Sequence, residues 1–144
     1  MHAERQTEFS IFLADRPGEL AGVLEAADAS RVEVTALCVS HHQTQGQSAR
    51  GVVRLVGAPV EALRRVCESL IETGKAGPMV EADVLVVGMK DRAGAFLGIS
   101  AALAKAGVNV QYAYQAPARN GHEAYSIFRV SDVPKAEAAV KDLP

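Results

Sequence analysis

The chain repeats itself. The stretch Leu13-Ala14-Asp15-Arg16-Pro17-Gly18-Glu19-Leu20-Ala21-Gly22-Val23 aligns with Met89-Lys90-Asp91-Arg92-Ala93-Gly94-Ala95-Phe96-Leu97-Gly98-Ile99, and Asp, Arg and two Gly recur in one register at an offset of 76. The same offset sets Val32-Glu33-Val34 on Val108-Asn109-Val110. Further on, an offset of 74 sets Val56 on Val130 and Val66 on Val140, so the loop between differs by two residues. A repeat of this length constrains the fold more than any single motif, because each copy must be one supersecondary unit. The repeat divides the 144 residues into 1–78 and 79–144.

Each copy reads as strand, helix, strand, strand, helix. In the first, Phe9–Leu13 is a short apolar strand. Asp15-Arg16-Pro17-Gly18 breaks it and opens a helix, with Asp a good cap type and Pro tolerated in a first turn. Leu20, Val23, Leu24 and Ala27 follow at i, i+3, i+4, i+7. Val32, Val34, Ala36 and Cys38 alternate as a strand, His41–Ser48 reads as a loop, and Gly51–Val56 returns as a strand. Leu63, Val66, Cys67, Leu70 and Ile71 then predict an amphipathic helix. In the second copy Val84–Met89 is the strand, and Phe96, Ile99 and Leu103 the expected buried stripe of the next helix. Ala106-Gly107 ends that helix. Val108, Val110, Tyr112 and Tyr114 alternate, Arg119-Asn120-Gly121-His122 carries the Asn-Gly hairpin signal, Ala124–Val130 is the return strand, and Pro134 starts a helix reaching Leu143.

This order predicts an α+β chain of two ferredoxin-like βαββαβ units, each an antiparallel sheet with its helices on one face. Met79–Ala82 supplies the last strand of the first unit and runs into the first strand of the second. The second unit lacks a last strand of its own, so its sheet edge must be open, covered or completed by another chain, a reason to expect a homodimer.

Two such copies, each with Asp-Arg-x-Gly at the first strand-to-helix turn, resemble the ACT domain family, with the likeness running over residues 8–143. Gly107-Val108-Asn109-Val110 resembles the start of that family's second strand. The resemblance implies a standalone tandem pair of regulatory modules that bind an amino acid or similar small metabolite where modules meet. The expected ligand-binding residues are Asp15, Arg16, Gly18, Leu20, Asp91, Arg92, Gly94, Phe96 and Asn109. The chemistry agrees: glycines at helix N-termini let a carboxylate approach free N–H groups, and an aspartate accepts from an ammonium. Two departures stand out. Glu33 replaces the expected Asn in the first copy, and Ala93 the expected Pro in the second.

Composition excludes other classes. Residues 1–76 hold 8 basic and 10 acidic side chains and the rest 7 of each, so neither half is a basic arm for nucleic acid or an anionic membrane. There is no Trp, and aromatics are 5%. Cys38 and Cys67 make no disulfide framework and fit a reducing cytoplasm. Residues 1–6 hold no apolar leader, and Val84–Met89 is far too short to span a bilayer. No cofactor or metal is expected: His2, His41, His42 and His122 lack ligand spacing. Glycine-rich phosphate loops and a serine elbow are absent. The expectation is therefore a non-catalytic sensor with a possible metabolic enzyme as partner. A docking module with degenerate sites is the alternative. A small enzyme using Arg92 and Asn109 on an anion is a third option, opposed by the acidic Asp91.

Overall fold

The computed structural model describes residues 1–42, 45–46, 50–90, 92–118 and 123–144. Asp91, the Arg119–His122 turn and half of the expected 41–48 loop lie outside them. The elements in chain order are β1 (His2–Ala14), α1 (Glu19–Ala29), β2 (Glu33–His42), β3 (Arg50–Ala58), α2 (Val60–Glu72), β4 (Met79–Lys90), α3 (Ala95–Lys105), β5 (Val110–Ala116), β6 (Glu123–Val130) and α4 (Val133–Val140). They form two compact units, Thr7–Ala82, and Met1–Gln6 with Asp83–Pro144.

In Thr7–Ala82 the strand order is β2-β3-β1-β4. Phe9 opposes Leu55 and Ile11 opposes Val53, so these residues share one face. That face meets Val23 and Ala27 of α1 and Leu63, Val66, Cys67 and Leu70 of α2, all buried. Both helices therefore lie on one side of the antiparallel sheet. Leu20 and Leu24 are only half-buried against this core. Burying a Leu or Ile side chain fully contributes about 1.5–3 kcal/mol, and Leu63, Ile11 and Leu55 are each at zero exposure. The chain enters β4 along β1, with the Gly77 N–H donating to the Phe12 carbonyl at 2.9 Å.

In the other unit the order is β1-β4-β6-β5. Leu85, Val87 and Met89 of β4 and Phe128 and Val130 of β6 form one face, closed by Ala95, Ile99 and Leu103 of α3 and Val133, Ala136 and Val140 of α4. The stripe on α3 is thus Ala95-Ile99-Leu103, and Phe96 is 48% exposed. The expected stripe was one residue off at its start, because Ala95 takes the position that a small side chain suits against the sheet. Asp132 caps α4, its Oδ1 accepting from the Lys135 N–H at 3.0 Å, with Pro134 in the first turn. α4 ends at Val140, three residues before the expected end.

As the sequence implies, this unit has no last strand of its own. The chain's own N-terminal residues stand in that place. The Met1 amino group donates to the Leu143 carbonyl at 3.1 Å, Arg5 lies 3.8 Å from the Glu137 carboxylate, and Met1 and Ala3 pack on the core. The vacancy that argued for a second chain is therefore filled from within.

Candidate functional site

The two strand-to-helix corners share two backbone hydrogen bonds at the same lengths. In one, the Glu19 N–H reaches the Arg16 carbonyl at 3.4 Å and the Gly22 N–H the Gly18 carbonyl at 3.0 Å. In the other, Ala95 reaches Arg92 at 3.4 Å and Gly98 reaches Gly94 at 3.0 Å. Each helix is capped by its glycine, with φ +89° at Gly18 and +84° at Gly94, and neither has a side-chain cap. The expectation that Asp15 caps α1 is corrected: the turn needs a left-handed residue at the helix start, and only Gly takes it cheaply, so the cap moves to Gly18. Space around both glycines is open, since a Cβ there would meet nothing within 4 Å.

The side chains at the first corner are already partnered. Asp15 Oδ2 lies 2.6 Å from His41 Nδ1. Arg16 binds the Glu19 carboxylate at 2.6 Å. His41 is thus not in a loop, because β2 continues through His42 and carries it to the corner. Extending the strand past Cys38 along its other face, Leu37-Val39-His41, would have found this residue. A groove of about 770 Å³ runs between α1 and the end of α2, lined by Arg16, Pro17, Gly18, Glu19, Gly22, Leu70, Gly74 and Lys75 among others.

At the second corner Asp91 is outside the described residues. Arg92 Nη2 donates to the Pro144 carbonyl at 3.3 Å. A cavity of about 440 Å³ joins Arg92 to Met1, His2, Gly88, Lys90, Glu123 and Pro144. Phe96 presents its ring to solvent beside the more exposed Leu97.

Corner and strand start do not meet within a unit. Lys90 opposes Glu123 while Val110 opposes Val130, so Arg92 and Gly94 follow one end of the sheet and Asn109 stands at the other, about 23 Å along β6 at 3.3 Å per residue. Ala14 opposes Arg50 and Glu33 opposes Ala58, about 26 Å apart along β3 by the same spacing. Asn109 is tied through its backbone: its N–H donates to Ser131 Oγ at 3.0 Å, and its carbonyl accepts from the Ser131 N–H at 3.0 Å. The separation removes the pairing of Arg92 with Asn109 that an anion-processing site in one unit would need.

The sequence reading also missed a charged cluster on Thr7–Ala82. Arg64 of α2 bonds to Glu61 and to Glu81 of β4, and its guanidinium sits 5.6 Å from the centre of the Phe9 ring. The Arg64 bond holds the Glu81 carboxyl below the usual carboxylate range. Burial pushes the Cys67 thiol up to about 11, which removes it as a nucleophile at neutral pH. Among the described residues no group of three His, Cys, Asp or Glu is arranged to hold a metal ion, and no helix is long and apolar enough to cross a membrane.

Residues 84–144 match the ACT domain family. No curated protein matches the sequence. The fold is similar to that of solved structures. A protein from Bacteroides thetaiotaomicron is 21% identical, with 97% of this chain and 89% of that one covered and a TM-score of 0.78. The regulatory subunit of aspartate kinase from Thermus thermophilus, in ligand-free form, is 14% identical over 97% and 95%, with a TM-score of 0.66. The corresponding subunit from Thermus flavus is 14% identical over 96% and 93%, with a TM-score of 0.62.

Proposed function

Proceeding from an ACT domain over residues 84–144, we propose that this chain is a non-catalytic regulatory protein, a tandem pair of ACT-like modules that binds an amino acid or a similar small metabolite between modules. The observation that carries the reading is the repetition of the strand-to-helix corner and of the end of the helix it opens. Four backbone hydrogen bonds of one copy recur in the other at an offset of 76 and at matching lengths, Arg31 to Asp28 with Gly107 to Ala104 at 3.0 Å and Val32 to Ala27 with Val108 to Leu103 at 2.9 Å among them. The same turn, with its open space over a positive-φ glycine, is thus kept twice. The regulatory subunits of aspartate kinase that share the fold over most of their length support the class of role.

The separation of corner and strand start says how such a ligand would sit. A zwitterion bridging both kinds of feature spans less than about 23 Å, so the corner of one module must meet the strand start of another, in this chain or in a second copy. Homodimerisation belongs to this reading, as do a metabolic enzyme as the regulated partner and a cytoplasmic setting, which the free thiols fit. The ligand would shift the packing of modules only by preferring one arrangement over another.

A thermal-shift screen of the twenty amino acids and of branched-chain and aromatic metabolites at millimolar concentration tests the proposal. A rise in melting temperature with one or a few of them is expected. A folded protein that none of them shifts would overturn it.

One observation favours a second reading, a docking module with degenerate sites. Asp15 is held by His41 and Arg16 by Glu19, and Glu33 stands in the strand-start position. Under that reading an enzyme partner is captured with or without amino acids present.

A further inference from the structure

We propose that the cavity at the end of β4 is a ligand site of its own, which takes an amino acid with an acidic side chain, its two carboxylates on Lys90 and Arg92 and its ammonium on Glu123. The site uses neither Gly94 nor Asn109. It therefore stands apart from the contact of corner and strand start in the proposed function, and rests on that reading only for the broad class of ligand.

The cavity lies within one unit, has a volume of about 440 Å³ and is lined by Gly88, Lys90, Arg92 and Glu123 among others. That volume falls in the range of about 300–1,000 Å³ usual for small-molecule sites. Lys90 stands opposite Glu123 in the register of β4 and β6, yet among the described residues the two form no ion pair. Glu123 is half-buried, and the Tyr125 hydroxyl donates to its Oε2 at 3.4 Å. A carboxylate accepts at both oxygens, so this bond orients Glu123 without using it up. Arg92 commits Nη2 to the Pro144 carbonyl at 3.3 Å, one donor of the five a guanidinium carries.

Gly88 keeps the cavity open. It sits inside a strand, where glycine costs stability, and it is not among the glycines with positive φ, so its backbone does not demand it. A glycine in a strand interior often marks a place that a ligand or another backbone approaches closely. A Cβ at Gly88 would come 3.1 Å from the Tyr125 ring and 3.4 Å from Glu123 Oε2, pressing on both groups of that wall. The other copy is an internal comparison. At the offset of 76, Phe12 replaces Gly88 and Ala14 replaces Lys90. Ala14 opposes Arg50 as Lys90 opposes Glu123, so the carboxylate is replaced too. The cavity beside Phe12, Ala14 and Arg50 is only about 290 Å³. The repeat thus keeps the corner and changes this place in size and charge together.

Charge selects the ligand. The lining side chains bring two cations, one carboxylate and one imidazole. Phosphate or a plain dicarboxylate would meet Lys90 and Arg92 but would be repelled by Glu123. A neutral amino acid would leave one cation unmatched. An acidic amino acid carries two carboxylates and one ammonium, which complements the three side chains in number and sign.

Isothermal titration calorimetry of the full chain with L-glutamate, L-aspartate, L-glutamine and glutarate tests the proposal. At least one of the two acidic amino acids should bind. Glutarate, which lacks the ammonium, and L-glutamine, which lacks the second carboxylate, should each bind about tenfold more weakly than L-glutamate or not at all. Lys90→Ala, an exposed position that reproduces Ala14, should lower affinity for the acidic amino acids about tenfold or more, with far-UV circular dichroism unchanged. Glu123→Gln should abolish the preference for L-glutamate over glutarate. Absence of binding by both acidic amino acids, glutarate bound as tightly as L-glutamate, or Lys90→Ala within twofold of the wild type would overturn the proposal. Should Lys90→Ala misfold, the ligand series on the unaltered protein decides alone. A rise in melting temperature with another amino acid and none with these two would remove this site and leave the proposed function standing.

Discussion

His41 reaches back from the end of β2 to Asp15 just past the end of β1, Nδ1 to Oδ2 at 2.6 Å, and so occupies the carboxylate expected to receive a ligand ammonium. Both side chains are partly exposed, 57% and 44%, and an exposed contact of this kind contributes at most about 1 kcal/mol. His41→Ala should therefore change the unfolding free energy by less than about 1 kcal/mol in urea titration. It should also strengthen binding of an ammonium-bearing ligand at the first corner, which calorimetry would measure. Equal affinity in both proteins would mean that Asp15 does not contact the ligand.

Gly18 and Gly94 are required by backbone, with φ +89° and +84° and open space beyond each Cα. A methyl group clashes with nothing there, so Ala substitution carries only the left-handed strain, about 1–2 kcal/mol. The two single variants should be destabilised by similar amounts, since the corners share their hydrogen bonds. Urea midpoints check this. A difference well beyond 1 kcal/mol would mean that one glycine has a further role.

Arg31 stands where the second copy has Gly107, and it holds φ +57° with a side chain attached. Both residues end their helices with the same backbone bond, 3.0 Å back to Asp28 or Ala104. Arg31→Gly relieves about 1–2 kcal/mol of left-handed strain and costs about 0.5–1 kcal/mol in chain entropy. The variant should be more stable by roughly 0.5–1 kcal/mol, seen as a raised urea midpoint.

The repeat made most of this legible. An offset of 76 carries the corner, the helix end and the next strand from one copy to the other, because local backbone chemistry decides all three. Tertiary context decides what was missed. Phe96 sits at a helical spacing that also suits burial, and only the packing of Ala95 against the sheet turns it outward. Val84-Leu85-Val86-Val87 gives no alternation to read, since all four are buried and neither face of the strand is wet. No periodicity announces that residues 2–6 fill the second unit's missing strand, because that pairing joins segments almost eighty residues apart. Among the candidate residues, residue type identified the corners, whereas the distance from Gly94 to Asn109 needed the register of β6.

The two cysteines should react in order. Cys67 is fully buried among α2 core residues, and its thiol is pushed up to about 11, whereas Cys38 is half-buried on the outer strand β2. A thiolate is the reacting form, so Cys67 is protected by both access and protonation. A thiol-reactive dye at neutral pH should label one site in the native protein and two in denaturant. Cys38→Ser should abolish the native labelling; persistent labelling would mean that α2 opens readily.

Glu81 couples β4 to α2 through Arg64, and that bond lowers its carboxyl pKa in the folded state. A lowered folded pKa stabilises the protein above the unfolded value of about 4.3 and loses that contribution as pH falls through the folded value. Stability should therefore drop on acidification from about pH 6 to about pH 3. Glu81→Gln keeps the shape and removes the titration, so its urea midpoint should fall less over the same interval. Arg64 would still hold Glu61 in the variant, and the Phe9 ring would still lie under the guanidinium, so the fold should persist. Parallel urea titrations of the two proteins at both pH values measure the difference. Identical acid sensitivity would mean that the Arg64 bond is not maintained in solution.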